Sequence, residues 1–181
     1  MKEIFLTLTL LTTSILTING QEKIEWNANQ KLTVNDFKGT PPDPSTRQSL
    51  IARNGIETNL DGPEIRNLKT FNKQITNYFY PNDSWVLWTD KGRLRYFLTI
   101  FDMNEWMARE LRKRYNQNRQ QVLMGEHKKI FSEVQSEFVR TREQYDRESE
   151  YGTNIVGQVK WETKISEMLN SLSAFCRTCE K

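Results

Sequence analysis

Histidine is almost missing from this chain of 181 residues, occurring once, as His127. A catalytic zinc site generally takes three protein ligands from His, Cys and carboxylates plus a water, so a chain with one imidazole starts poorly equipped. His127 stands beside Glu126 at a polar helix start and reads as a solvated surface residue. Cysteine is scarce too, with only Cys176 and Cys179 in "CRTC" and no second CxxC pair. In an oxidising compartment that spacing suits a local disulfide or two inert thiols, and in the cytosol the same spacing suggests a redox or metal motif. Geometry has to decide among them. Proline does not recur after Pro81, nor does a dense glycine cluster follow Asp90, so little interrupts helices in the C-terminal half. The net charge of +3 is too small an excess to imply nucleic acid. After residue 18 no apolar run approaches the ~20 residues needed to cross a bilayer.

What is present begins with "MKEIFLTLTLLTTSILTING", where Lys2 precedes an apolar, Thr-rich run and Gly20 precedes Gln21. That is the pattern of a secretory signal peptide over 1–20. The mature chain is then expected outside the cytoplasm, in the periplasm or the medium, with no stable membrane insertion after cleavage. Loss of Lys2 and Glu3 together leaves the net charge unchanged. Residues 21–181 are enough for one domain with its own core.

Between Gln21 and Trp88 the turn signals "GTPPDPST", "DGPE" and "PND" separate short segments rich in β-branched and aromatic residues. Strands are expected over 24–26, 50–58, parts of 71–80, and 85–88. Helical periodicity follows: one helix over about 90–116, a second with Ile130, Phe131, Val134 and Phe138 on one stripe, and a third with Trp161, Ile165, Met168, Leu169 and Leu172. Strands first and helices later make an α+β fold, a short-strand region packed on about three helices. The first helix carries two apolar stripes. One holds Leu94, Phe97, Leu98, Phe101, Ala108 and Tyr115, the other Tyr96, Ile100, Met103, Met107 and Leu111. Such a helix must be covered on both sides or present an apolar groove.

Five segments, "LTVNDFKGTP" (32–41), "SWV" (84–86), "FDMNEWMARELRK" (101–113), "QYDRESEYGTN" (144–154) and "QVKWETKI" (158–165), follow in an order and spacing that resembles one bacterial family. These are the predicted secreted zinc-dependent proteases, catalogued as domain of unknown function 922. The likeness covers about 26–172 and implies a zincin-like central helix. The family helix reads H-E-x-x-H-F-D followed by Glu and A-R-x-L-R, its two His binding zinc and its Glu acting as general base. Here Tyr96 and Ile100 stand at the His positions and Phe97 at the Glu, while Phe101, Asp102, Glu105, Ala108, Arg109, Leu111 and Arg112 persist. In the family's E-T-x-H-G segment, matched by residues 148–152, Tyr151 replaces a plausible third ligand.

The resemblance therefore implies a degenerate site at Tyr96, Phe97, Ile100 and Tyr151, with no catalytic residue, no metal ligand and no cofactor. If the family geometry holds, Tyr96 and Tyr151 lie close together. Asp102, Glu105 and Arg109 are second-tier candidates near the cleft, although Glu105 and Arg109 also read as an ordinary i,i+4 pair worth a few tenths of a kcal/mol. The implied function is that of an exported, catalytically inactive relative serving as a binding or regulatory module, with a peptide or protein ligand in the former cleft. Alternatives are an active secreted hydrolase using carboxylates such as Asp102 and Glu105, or a structural cell-envelope protein. Oligomeric state is not legible.

Overall fold

Backbone pairing is brief in the N-terminal part because turns interrupt it every few residues. The computed structural model describes residues 21–41, 50–87 and 91–179; the leader over 1–20, most of the "GTPPDPST" turn and the expected helix start at Asp90 lie outside these. Among the described residues five strands form: β1 (Ile24–Glu25), β2 (Leu50–Ile51), β3 (Asn54–Thr58), β4 (Ile75–Phe79) and β5 (Trp85–Val86). β4 is the middle of a three-stranded antiparallel sheet in the order β1-β4-β3, with Ile24 opposite Phe79 and Thr58 opposite Ile75. β2 and β5 pair separately, Leu50 opposite Val86. The segment expected as one strand over 50–58 is thus two. Arg53 marks the switch, its N–H donating to Ser84 Oγ at 2.8 Å and its carbonyl accepting from the Tyr80 N–H at 3.0 Å. The 71–80 segment pairs only in its second half, since 72–74 winds into a 3-10 turn.

Four helices follow: α1 (Lys91–Gln117), α2 (Arg119–Leu123), α3 (His127–Glu148) and α4 (Ile155–Ser171). The architecture is α+β, with five-residue α2 added to the three helices the periodicity suggests. α1, ~40 Å long at 1.5 Å per residue, is the central element, contacting β3 and β4 as well as α3 and α4. Both of its apolar stripes are covered. One cluster gathers Phe97, Ile100, Phe101 and Met103 with Trp26, Phe79, Tyr145 and Trp161; the next one along the helix gathers Met107, Ala108, Leu111 and Tyr115 with Phe71, Ile75, Ile130 and Val134. A helix apolar on two faces is buried for that reason.

The turn joining α3 to α4 is unusual. Glu150, Tyr151 and Gly152 all take positive φ, at 49°, 55° and 88°, a conformation that costs L residues free energy and persists only where the surroundings impose it. The Tyr151 N–H donates to the Asp146 carbonyl and the Asn154 N–H to the Ser149 carbonyl, both at 2.9 Å. Asn154 then caps α4 by accepting from the Gly157 N–H at 3.1 Å. Gly157 has no alternative, because a Cβ there would lie 2.1 Å from the Glu148 carbonyl oxygen.

Candidate functional site

α1 carries Tyr96, Phe97 and Ile100, the three positions the sequence singles out, and their environments differ. Phe97 is 3% exposed and sits in an aromatic cluster, with ring centroids 5.8 Å from Phe37, 5.7 Å from Phe79 and 6.1 Å from Phe101. Ile100, 7% exposed, belongs to the same cluster. Tyr96 is only partly buried. Its ring stacks on Tyr145 at 5.1 Å, its hydroxyl donates to Asp146 and accepts from Arg142 Nη2 at 2.9 Å, and Arg142 pairs with Asp146 at 2.7 Å. Burial first, and then the Asp146 carboxylate, hold the Tyr96 phenol well above its usual range, against the opposing charge of Arg142. Tyr145 continues the network, donating to Gln158 Oε1 at 2.6 Å, while Gln158 Nε2 donates to Thr99 Oγ1 at 2.7 Å. Burial pushes the Tyr145 phenol up to about 12.

Tyr151 stands apart from this network at 69% exposure. The backbone beside it does reach Tyr96, since a Cβ on Gly152 would fall 2.6 Å from Tyr96 Cβ. An open hollow of about 530 Å³, lined by Glu143, Asp146, Arg147, Glu150 and Tyr151, lies along this turn. Asp146 joins the hollow to the Tyr96 hydroxyl.

The segments that carry the family likeness meet here. From 32–41, Thr33 caps a 3-10 turn with its N–H held by Asp36 at 2.6 Å, which turns Phe37 onto Phe79 and Phe97. From 144–154 come Tyr145, Asp146 and Gly152, all against Tyr96. From 158–165 come Gln158 and Trp161, whose ring centroid is 5.6 Å from Tyr145. Ser84 works at a distance, bracing the strand switch by donating to the Tyr80 carbonyl at 2.7 Å. Arg142, outside every quoted segment, was invisible as a site residue, although its i,i+4 spacing to Asp146 is an ordinary helix-pair signal.

The second-tier candidates are held by contacts of their own. Asp102 accepts from Trp26 Nε1 at 2.7 Å and from Lys31 Nζ at 2.9 Å. Glu105 and Arg109 are no surface pair, being 2% and 3% exposed. Glu105 Oε1 accepts from Arg109 Nε at 3.1 Å and from Arg112 Nη1 at 2.8 Å. Arg112 also donates to the Ile75 and Phe175 carbonyls, and Arg109 to the Leu169 carbonyl and to the sulfurs of a Cys176–Cys179 disulfide. Sequence spacing shows the i,i+4 pair but not its burial, because the groups that cover it come from β4 and the C-terminal tail. His127 begins α3 partly exposed, and its carbonyl accepts from the Tyr115 hydroxyl at 3.1 Å.

The side chains at the family's ligand positions on α1 do not fit a zinc ion. Phe97 and Ile100 carry no donor atom, and the Tyr96 phenol is held in its protonated form. Among the described residues no three His, Cys, Asp or Glu side chains converge as metal ligands do. No known family, curated protein or solved structure matches this chain.

Proposed function

We propose that the protein is an exported, non-catalytic relative of secreted zinc-dependent proteases, working as a binding or regulatory module whose ligand is a peptide or protein. One observation supports this reading: segments far apart in sequence, quoted above for their resemblance to that family, bring Phe37, Tyr145 and Gly152 against the turn of α1 that carries Tyr96 and Phe97. In this chain the convergence encloses Phe97 and Ile100, so apolar packing takes the place of coordination. Burying a side chain of that size contributes roughly 1.5–3 kcal/mol, enough to stabilise the frame once the metal is lost. The ligand's place is the hollow along the α3–α4 turn, where Tyr151 offers an exposed ring and Glu143, Arg147 and Glu150 offer charges of both signs.

The test is to restore the ligands. Because Phe97 lies in an aromatic cluster, a carboxylate there would unfold the site, so the variant is Tyr96→His, Ile100→His and Tyr151→His with Phe97 kept. Zinc should raise its melting temperature, since an ion that binds only the native state stabilises it by mass action, and should leave the parent chain unchanged. A folded triple variant indifferent to zinc would show that the residue correspondence is wrong.

A further inference from the structure

We infer that Cys176–Cys179 is a thiol–disulfide exchange site that oxidises a dithiol and leaves Cys176 as a thiolate held by Arg109. The inference is independent of the zinc-protease reading.

It starts from a charge imbalance in the core. Arg109 and Arg112, 3% and 1% exposed, share the single carboxylate of Glu105. Among the described residues Glu105 is the one carboxylate that contacts either guanidinium, so within that set two buried positive charges share one negative charge. Uncompensated buried charge is costly. Arg109 directs its spare donor, Nη2, at the disulfide, 3.0 Å from Cys176 Sγ and 3.5 Å from Cys179 Sγ, with its guanidinium 5.1 Å from the Trp26 ring centroid. A neutral disulfide is a weak acceptor. A thiolate at the same place would cancel the charge, and a neighbouring Arg lowers a thiol's pKa.

The wider surroundings have the same sign. A hollow of about 330 Å³ adjoins Cys176, lined also by Thr70, Asn72, Lys73 and Arg177. Arg177 pairs with Glu25 at 2.7 Å and donates to the Lys73 carbonyl. Among the described residues, Lys73, Arg109, Arg112 and Arg177 lie on this side of the fold with Glu25 and Glu105 as the paired carboxylates. The two sulfurs also differ in access, Cys176 being 9% exposed and Cys179 exposed. That asymmetry sets the direction of attack.

A thiolate of the incoming dithiol attacks Cys179 Sγ. The Cys176–Cys179 bond breaks, its electron pair stays on Cys176 Sγ beside Arg109, and a mixed disulfide forms on Cys179. The dithiol's second thiol, having lost its proton to solvent, attacks its own sulfur in that mixed disulfide. Cys179 departs as a thiolate and takes a proton from solvent. Two electrons pass from the dithiol, which ends as a disulfide, to the Cys176–Cys179 pair. A low leaving-group pKa accelerates the first step.

Iodoacetamide alkylation of the reduced full chain from pH 5 to 10, with Cys176 and Cys179 resolved by peptide mass, tests this. The expected Cys176 midpoint lies at least one unit below the ~8.5 of a free thiol. Arg109→Gln should raise it by about one unit, and Lys73→Gln, at an exposed position, should raise it by less. The parent midpoint and the Lys73 variant keep the test decisive if the Arg109 variant does not fold. Acid quenching during reduction by dithiothreitol should trap the mixed disulfide on Cys179. A Cys176 midpoint at or above ~8.5, or trapping on Cys176, overturns the inference.

Discussion

Ile100, which the proposed kinship would set in place of a metal-binding imidazole, is 7% exposed within the larger apolar cluster. If it is packing, its cost of removal follows volume: Ile100→Val should lose about 0.5–1.5 kcal/mol and Ile100→Ala about 2–5 kcal/mol. Thermal unfolding reads this as roughly 2–4 °C for each kcal/mol in a chain of this size. A position lining an open cleft would tolerate both changes. Glu148 gives a residue-scale prediction in pH. Hydrogen bonds from Gln144, then Lys160, then Trp161 depress its carboxyl to about 2 from an ordinary 4.5. A group whose pKa is lowered by folding stabilises above its unfolded value and ceases to as pH falls through its folded one. The loss should therefore run from pH 4.5 down to about 2, and Glu148→Gln should flatten the melting-temperature profile across that window. An unchanged profile would show that these contacts do not hold the carboxylate.

The helices and the turns between them carry the next level of constraint. Gly152, at φ 88° with Tyr96 Cβ only 2.6 Å from where its own Cβ would fall, is what lets the α3–α4 turn close onto α1. Gly152→Ala should destabilise by about 1–3 kcal/mol through backbone strain alone, with a further cost from displacing Tyr96. Near-ultraviolet circular dichroism should register the disturbed Tyr96–Tyr145 stack, and an unaltered spectrum would place the turn elsewhere. Within α1, Glu105 pairs with two guanidiniums that tie the helix to β4 and to the C-terminal tail. Glu105→Gln leaves both cations without their carboxylate and should cost about 3–5 kcal/mol, against a few tenths for an exposed pair. Chemical denaturation separates these values easily.

Helix positions were legible in the sequence because a 3.6-residue period is local. Stripes at Ile130 to Phe138 and Trp161 to Leu172 lie within α3 and α4 or at the end of α4. The strand ends were not legible, since whether 50–58 pairs as one strand or two depends on Ser84 and Tyr80, some thirty residues away. The polar network at Tyr96 was half legible: Tyr145 and Asp146 stand within a quoted segment, but nothing local shows that they turn toward α1.

At the scale of the whole molecule, α1 runs between the small sheet and the other long helices, so every functional candidate is defined by what closes on it. The α+β order was readable from the shift in composition and the loss of proline after Pro81. What would seal each side of α1 was not, because both stripes are apolar and the covering elements come from distant parts of the chain. If the protein is the non-catalytic relative proposed above, packing stands in for metal binding at Tyr96, Phe97 and Ile100. Metal content and thermal unfolding of the purified native chain, with and without a chelator, test that claim most directly. The account predicts zinc far below one ion per chain and a melting temperature unmoved by chelation. One zinc per chain, with a melting temperature that falls when it is removed, would contradict it.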